Sequence, residues 1–425
     1  MHDLNHQTRK DDFSPGLPST LEGTELDFRF LADLALKIIS MNTNCTAVRV
    51  AEKLCIPMHL TEALLQHLYH EKFLEIHGVE TFQNHRYAML ERGWQQVNRL
   101  LALNGYIGPA PVSLRAYSEM VTQQNKTRES VTQESITSAL SGLVLPKGAL
   151  QTLGLVANSR RSLFMYGESG NGKTSTATAI HSAQPGEIWI PYAIEVDGQI
   201  IKVFDPYIHL PVENHNNNSY DRRWIKIKRP LVIVGGEMTI ETMDLVYSRS
   251  VRYYEAPFQM KANGGTLVID DFGRQRVDPM DLLNRWIIPL ERQTDYLTLH
   301  TGKKIEVPFE QLLIFSTNLD LKGLVDDAFL RRMGYRLYLG PPSQGRYGDI
   351  FHTVVNSNGL EYDPELLEFL LQKYKEEQRP LRCCEPRDLI QRCIDTCRYE
   401  NQPVSLSMKL LGVAWSNYFG TGKPA

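Results

Sequence analysis

The sequence has few cysteines, no long apolar run and almost no net charge. Six of its 425 residues are cysteines, in no spacing typical of a disulfide framework, so we expect reduced thiols. No stretch of 18 apolar residues is present, which excludes a membrane-spanning helix. The opening residues are polar and lack the apolar segment of a signal peptide. We therefore expect a cytoplasmic protein.

The balance of charge and apolar residues narrows the class of protein. The net charge of −3 does not favour a generally basic protein that binds nucleic acid or membrane surfaces. Apolar residues make up 42% of the chain, enough for a large core, which excludes a wholly disordered chain. The length predicts about three domains.

Four of the cysteines lie near the end of the chain, at Cys383, Cys384, Cys393 and Cys397. A metal site is one interpretation of this group. However, closed zinc sites show tighter paired spacings, and Cys393 and Cys397 share a helical stripe with Ile394 and its apolar neighbours. The pattern therefore favours a buried helix face over a metal site.

The first hundred residues predict a tail and a small helical domain. Residues 1–26 are rich in Ser, Pro, Gly and Thr and predict a flexible tail. From Asp27 the apolar residues recur at helical spacing, and three helices are predicted before two extended stretches around 73–77 and 85–90. This order resembles a winged helix over residues 27–104. A Gly- and Pro-containing connector is predicted over residues 105–141.

The charge of the winged-helix-like segment bears on what it binds. Residues 27–103 hold eight Lys or Arg and eight Asp or Glu, and the predicted recognition helix at 61–71 holds no Lys or Arg. A helix that reads a DNA groove normally brings cations to the phosphates. The segment therefore favours protein docking or autoregulation, with DNA binding as the alternative.

The strongest motif is GESGNGKT, which fits the phosphate-binding pattern G-x-x-x-x-G-K-[ST]. A predicted buried strand over 162–166 precedes it and a predicted helix over 175–183 follows it, as such a loop requires. Glycines let the backbone N–H groups face phosphate oxygens, and the lysine contacts the β and γ phosphates. The residues predicted to bind ATP are Gly167, Glu168, Ser169, Gly170, Asn171, Gly172, Lys173, Thr174 and Ser175.

A second motif supplies carboxylates. The predicted strand 266–269 is apolar and ends in Asp270 and Asp271. Thr174 and Asp270 are predicted to hold Mg²⁺, and Asp271 to orient and polarise the attacking water. Further predicted strands at 312–317 and 336–339 alternate with helices, which predicts an α/β fold with a parallel sheet flanked by helices.

Taken together, these motifs resemble those of the AAA+ ATPases over about residues 143–419. GESGNGKT resembles their Walker A motif and LVIDD their Walker B motif, although many members have Asp-Glu where this chain has two aspartates. The resemblance implies that Asn318 is the sensor 1 residue, that Arg331 or Arg332 is an arginine finger, and that Arg387 is the sensor 2 residue. It also implies a ring-shaped homo-oligomer, expected to be a hexamer, in which the finger acts on a neighbour's nucleotide.

A narrower resemblance extends over most of the chain. Stretches such as NGYIGPAPVSL, IPYAIEVDGQIIKVFDP and YEAPFQMKANGGTLVIDDFGRQ are similar to a bacterial family of predicted ATPases with chaperone activity associated with pilus assembly. That likeness implies a protein substrate or an envelope-assembly partner. The implied organisation is a tail (1–26), a winged-helix-like domain (27–104), a connector (105–141), the AAA+ core (142–341) and a C-terminal helical lid (342–425).

Two predicted hairpins, at 194–204 and 296–307, are candidates for substrate contact, together with Tyr253, Tyr254 and the polar loop 214–219. Bracing of the subunit is an equally good interpretation of the hairpins. A DNA-acting AAA+ protein, either a transcriptional regulator or a loader, is the alternative function. A GTP switch and an ABC-type ATPase are disfavoured, because the sequence has neither an N-K-x-D nor an L-S-G-G-Q segment.

Overall fold

The computed structural model describes residues 14–42, 45–81, 84–213, 220–319 and 327–420. The first half of the predicted tail and the polar loop 214–219 lie outside these ranges. Among the described residues, no helix combines the length and the apolar character needed to cross a bilayer.

The front part of the chain folds as three helices followed by a hairpin, the predicted order of elements. A short extra strand pairs with the second hairpin strand, with Cys45 opposite Tyr87. Leu34, Ile38 and Leu64 contribute to a common core, since their spacing places them on inner helix faces. That this unit works as a winged helix stays a prediction. Its elements are α1 (Phe28–Ser40), β1 (Cys45–Thr46), α2 (Ala47–Leu54), α3 (Met58–His70), β2 (Leu74–Thr81), β3 (Asn84–Met89) and α4 (Glu91–Leu103).

The middle of the chain combines two five-stranded sheets with helices. Its helices are α5 (Leu114–Lys126), α6 (Gln133–Ala139), α7 (Ala149–Ser159), α8 (Lys173–Ser182), α9 (Phe258–Lys261), α10 (Pro279–Arg292) and α11 (Asp327–Arg332). Its strands are β4 (Val112–Ser113), β5 (Leu163–Tyr166), β6 (Glu187–Pro191), β7 (Ala193–Val196), β8 (Gln199–Lys202), β9 (Trp224–Lys228), β10 (Leu231–Val234), β11 (Val246–Ser248), β12 (Tyr253–Glu255), β13 (Thr266–Ile269), β14 (Thr294–Thr298), β15 (Lys304–Pro308), β16 (Leu312–Thr317) and β17 (Tyr335–Tyr338).

The first sheet is parallel throughout and has the order β10–β13–β16–β5–β17. Successive residues of β5 face opposite sides. Leu163 and Met165 pack on α7 and α8, whereas Phe164 stacks on Phe315 at 5.7 Å between ring centroids. Trp286 of α10 packs on that second face. The predicted parallel sheet with helices on both faces is therefore present.

The second sheet has the order β11–β12–β8–β7–β4. The predicted connector supplies its edge strand β4 and the helix α5, so that part of the connector belongs to this layer. Both predicted hairpins, β7–β8 and β14–β15, contribute to its core. Tyr254 is only 1% exposed there, and Tyr253 packs edge-on against Tyr106. Both rings pack within the fold, and substrate contact by these two tyrosines stays a prediction.

The C-terminal part is helical, as predicted for the lid. Asp363 caps a helix whose first residue is Pro364, and Ser407 caps the last helix. Cys393 and Cys397 are both buried, which agrees with the predicted apolar helix face. The four helices of this part that lie within residues 327–420 are α12 (Gln344–Ser357), α13 (Pro364–Glu376), α14 (Glu385–Tyr399) and α15 (Met408–Phe419).

A buried ion pair joins the front of the chain to the middle. Asp221 and Arg223 pair at 2.7 Å with side chains only 4% and 6% exposed. Arg223 also donates to the carbonyl oxygens of Thr24 and Pro111, and the Asp221 N–H donates to the carbonyl of Pro15. Residues 14–26 are thus packed and hydrogen-bonded, unlike the flexible tail that their composition predicts.

We expect Arg223→Ala to release this packed segment, because it leaves a buried carboxylate unpaired, at a cost of about 3–5 kcal/mol. Limited proteolysis should then cut within residues 14–26 sooner than in the wild-type chain. Arg222→Ala is the matched control, since Arg222 is the exposed neighbour. Equal cleavage rates in the two variants would contradict the proposed anchoring.

Candidate nucleotide-binding site

The predicted phosphate-binding loop joins the end of β5 to the start of α8. Gly167, Gly170 and Gly172 adopt positive φ angles of 135°, 84° and 82°, a region that side chains with a Cβ rarely enter. At Gly167 a Cβ would also lie 2.3 Å from the carbonyl oxygen of Leu339. Glycine is therefore required at this position by both conformation and space.

Lys173 is the first residue of α8 and is 8% exposed. Its ammonium donates to the carbonyl oxygens of Gly167 at 2.7 Å and Glu168 at 3.1 Å. Burial lowers the pKa of this ammonium, and the Asp270 carboxylate opposes that shift. The geometry folds the lysine back over its own loop, from which it can exchange carbonyl partners for phosphate oxygens.

The second motif reaches the loop through a single hydrogen bond. The Thr174 hydroxyl donates to Oδ2 of Asp270 at 2.7 Å, and the Asp270 backbone N–H is fixed by the carbonyl of Val234. One hydroxyl and one carboxylate, completed by water and phosphate oxygens, are a donor set that suits Mg²⁺. The residues present therefore fit the predicted metal.

Asp271 follows directly and has φ 49°, a strained conformation for a residue other than glycine. Its N–H donates to Oδ1 of Asp270, and its carbonyl accepts from the Arg274 N–H at 2.9 Å and from the Gln275 side chain. This tight turn holds the side chain of Asp271 at the edge of the cavity described below.

Asn318 stands one residue beyond the end of β16. The neighbouring Thr317 hydroxyl donates to the Phe272 carbonyl, and the Phe272 N–H donates to the Ser316 carbonyl. Oδ1 of Asn318 is buried and has no hydrogen-bond partner within the part of the chain that the structure describes. An unpaired buried acceptor is costly, although Asn318 is not among the residues that line the cavity.

A cavity of about 480 Å³ opens above the loop. Its phosphate end is polar, whereas its other end is formed by the segment 142–145 and by Ile350, Thr353 and Val354 of α12. Arg346 holds that segment by donating to the Val144 carbonyl at 3.0 Å. Sequence reasoning missed these residues, because nothing local marks them as pocket walls. A cavity of this volume, lined by the polar phosphate-binding loop and by apolar side chains, suits a nucleotide.

The lid is hydrogen-bonded to the tip of the phosphate-binding loop. The Cys384 N–H donates to the Gly170 carbonyl at 2.9 Å, and the Cys383 N–H donates to Oδ1 of Asn171 at 3.4 Å. A Cβ on Gly170 would lie 2.7 Å from the Cys384 sulfur. Glu385 supports these contacts, because it is only 2% exposed and its carboxylate accepts the Arg382 N–H. Sequence reasoning also missed the two cysteines as cavity walls.

Two arginines of the lid lie near the cavity. Arg387 lines it, although its side chain is 71% exposed and pairs with Asp388. Arg382 was not predicted, and a Cβ added at Gly170 would lie 3.5 Å from its side chain. The predicted sensor position is therefore at the cavity, with a second cation next to it.

Arg331 and Arg332 lie away from the nucleotide cavity of their own chain. They line a different cavity, with residues 159–162 at the opposite end of β5. Arg332 donates to Glu291 at 2.5 Å. Arg331 is exposed and forms no ion pair or hydrogen bond with residues that the structure describes. Neither arginine lines the nucleotide cavity of its own chain, and action in trans stays a prediction.

The structure thus brings most of the predicted site together. Gly167 and Glu168 accept hydrogen bonds from Lys173 within the loop. Asn318 follows β16, the strand next to β5 in the sheet. Arg331 and Arg332 lie away from the cavity. The predicted residues that line the cavity are Ser169, Gly170, Asn171, Gly172, Lys173, Thr174, Ser175, Asp270, Asp271 and Arg387.

Comparison with known proteins gives one family match over part of the chain and distant similarity to solved structures. Residues 343–417 match a family described as "Domain of unknown function (DUF8689)", and no curated protein matches the chain. Similar solved structures include NtrX from Brucella abortus in complex with ATP (15% identity, TM-score 0.38, 82% of this chain and 63% of that chain). They also include RuvB from Thermotoga maritima (12%, 0.37, 69% and 74%) and the FIGL-1 AAA domain (12%, 0.37, 73% and 92%).

The chain thus spans less than two thirds of the NtrX chain, and similarities at this level carry no functional argument. The described residues themselves define the fold class. They form an α/β core, in which a five-stranded parallel sheet carries the phosphate-binding loop, followed by a helical C-terminal region.

We expect Gly170→Ala to weaken ATP binding by about tenfold, equivalent to ~1.4 kcal/mol, because the new methyl group collides with the Cys384 sulfur. The measurement is the Kd for a fluorescent ATP analogue. Cys384→Ala removes the colliding atom, so the double variant should recover part of the loss relative to Cys384→Ala alone. No recovery would show that backbone strain at Gly170, rather than the lid contact, sets the affinity.

Proposed function

We propose that the protein is an ATP hydrolase of the AAA+ class that remodels or assembles a protein partner. The observation that carries the proposal is the hydrogen bond from Thr174 to Asp270, which joins the phosphate-binding loop to the carboxylate pair inside one cavity. This combination of loop, hydroxyl and carboxylates is the arrangement used for phosphoryl transfer.

The side chains divide the chemical work as follows. Lys173 and the loop N–H groups bind the β and γ phosphates, and Thr174 with Asp270 would hold Mg²⁺, which neutralises phosphate charge when bound. Asp271 accepts a proton from water as the water oxygen attacks the γ phosphorus, and the bond to the β-phosphate oxygen breaks to give ADP and phosphate. Asn318 orients this water through its free Oδ1.

The chain is also proposed to assemble with copies of itself. Arg331 is exposed and unpaired among the described residues, and it lies at the opposite end of β5 from the loop. An arginine so placed can reach only the nucleotide of another copy. We therefore propose a homo-oligomeric ring, with six subunits as the expected number, in which Arg331 stabilises transition-state charge across each interface.

The partner is proposed to be a protein, in pilus or secretion assembly at the cytoplasmic side of the envelope. The resemblance of the sequence to a pilus-associated ATPase family supports this setting. The front domain supports a protein rather than DNA, because α3 presents His59, Gln66 and His70 to solvent and contains no Lys or Arg. DNA binding through α3 would require phosphate contacts that these side chains do not supply.

We expect Lys173→Ala to abolish ATP binding and Asp271→Asn to retain binding while kcat falls by about 10²–10⁴-fold, the range for loss of a general base. Binding and turnover are measured separately, with a fluorescent analogue and by phosphate release. Lys228→Ala and Asp281→Asn are matched controls on exposed sites. Hydrolysis at the wild-type rate by Asp271→Asn would refute the catalytic assignment.

The same Asp271→Asn variant distinguishes the two classes of partner. Held in ATP, it should retain a bound protein from a cell extract, and its ATP affinity should not respond to duplex DNA at physiological salt. A trapped nucleic acid, or strong stimulation of the wild-type ATPase by DNA, would instead favour a DNA-acting protein.

We expect Arg331→Ala to lower kcat by about 10³-fold or more, as loss of an arginine finger does, and Arg332→Ala to have a smaller effect because Arg332 is paired with Glu291. Mixing Arg331→Ala chains with Lys173→Ala chains should restore hydrolysis above that of either alone. In such mixed rings an intact loop meets an intact arginine. Failure of the mixture to recover activity would contradict action in trans.

A further inference from the structure

A second cavity, of about 360 Å³, lies between the β11 edge of the second sheet and the turn of the β14–β15 hairpin. It is separate from the nucleotide site and shares no lining residue with it. Three aromatic rings and two carboxylates face it, from Tyr247, Tyr254, His300, Glu241 and Asp244. The cavity is therefore both aromatic and acidic.

The two carboxylates of this cavity lack an ion-pair partner among the described residues. Arg285 also lines the cavity, but it donates to the buried Asp295 carboxylate and to the Tyr296 carbonyl. Glu241 and Asp244 form no ion pair with any residue in the described ranges. Hydrogen bonding from Thr239 lowers the pKa of the Glu241 carboxyl, so Glu241 carries its charge at neutral pH.

Asp244 is held in a fixed orientation. Its Oδ1 accepts the backbone N–H groups of Leu245 and Thr298, both at 2.8 Å. These bonds hold the carboxylate between β11 and the hairpin. They leave Oδ2 without a hydrogen bond to the described residues, so this oxygen can accept one from a ligand.

His300 forms part of the cavity wall through its hydrogen bonds and ring stacking. The Tyr254 hydroxyl accepts the His300 backbone N–H at 2.8 Å and is also hydrogen-bonded to Nδ1 of the same residue. Tyr247 stacks on the imidazole, with 4.6 Å between ring centroids and 24° between ring planes, so the two rings form one aromatic wall.

The cavity borders a sheet edge that is open. Among the described residues, β11 pairs with β12 on one side only and is the edge strand of its sheet. The edge is short but apolar at Val246, which is 49% exposed. An unpaired edge can accept an extended chain as an added strand.

We propose that this cavity binds the lysine or arginine side chain of an extended protein segment that pairs with the free edge of β11. Asp244 and Glu241 pair with the cation, and the Tyr247 ring provides a cation–π contact. The proposal rests on the proposed action upon a protein partner, and it specifies a basic, extended segment as what is recognised. It also gives the β14–β15 hairpin a role in substrate contact through His300, at its turn.

The test uses the full chain and a fluorescein-labelled peptide of alternating valine and threonine with a central arginine. A second peptide carries citrulline, which keeps the shape of arginine and lacks its charge. Fluorescence anisotropy should give at least tenfold tighter binding of the arginine peptide. Asp244→Asn and Glu241→Gln should each reduce that ratio, whereas Glu237→Gln, an exposed carboxylate outside the cavity lining, should leave it unchanged.

Equal affinities for the two peptides, or full discrimination by both Asp244→Asn and Glu241→Gln, would overturn the assignment. Glu241 is exposed, so its variant stays informative even if Asp244→Asn fails to fold. ATP hydrolysis measured on the same samples separates the two proposals. Equal affinities of the wild-type chain for the two peptides, with intact hydrolysis, refute the cavity assignment alone. Discrimination by the wild-type chain without hydrolysis refutes the proposed enzyme alone.

Discussion

The parallel pairing of β5, β16 and β13 is the constraint on which the site depends. Because the three strands run in the same direction and in register, Thr317 lies opposite Tyr166 and Ile269 opposite Phe315. Their carboxyl ends therefore open at one edge of the sheet. The phosphate-binding loop, Asn318 and the two aspartates follow these ends directly, which is why residues nearly a hundred positions apart meet at the bond between Thr174 and Asp270.

The helical lid supplies part of the wall of the nucleotide cavity. The apolar end of the cavity is shared between the segment before β5 and α12, and the tip of the loop is held by backbone N–H groups at the start of α14. A nucleotide in this cavity would touch both domains at once. Loss of the γ phosphate can therefore change the contact between them, which gives a direct physical route from hydrolysis to movement.

We expect a partner to bind to the layers that lie outside the parallel sheet. The second sheet, the β14–β15 hairpin and the connector share one core. The ion pair of Asp221 and Arg223 joins the front of the chain to this core through the hydrogen bonds of Arg223. Its open edge at β11 is acidic and aromatic, whereas the front domain is neutral and α3 carries no lysine or arginine. Helix α3 therefore lacks the cations that a groove-reading helix brings to phosphates, and the single arginine of the β11 cavity is paired with Asp295.

The sequence by itself determined the loop, the paired aspartates, the parallel sheet and the helical lid, because each depends on local spacing: glycines at fixed offsets, apolar runs and caps such as Asp363. The sequence could not place the cavity walls at 142–145, at Cys383 and Cys384, or around Asp244. Those positions come together only through tertiary packing, and their residue types are ordinary. Composition also predicted a flexible tail where packing of Pro15 and Thr24 fixes the chain, since burial and long-range hydrogen bonds override local propensity.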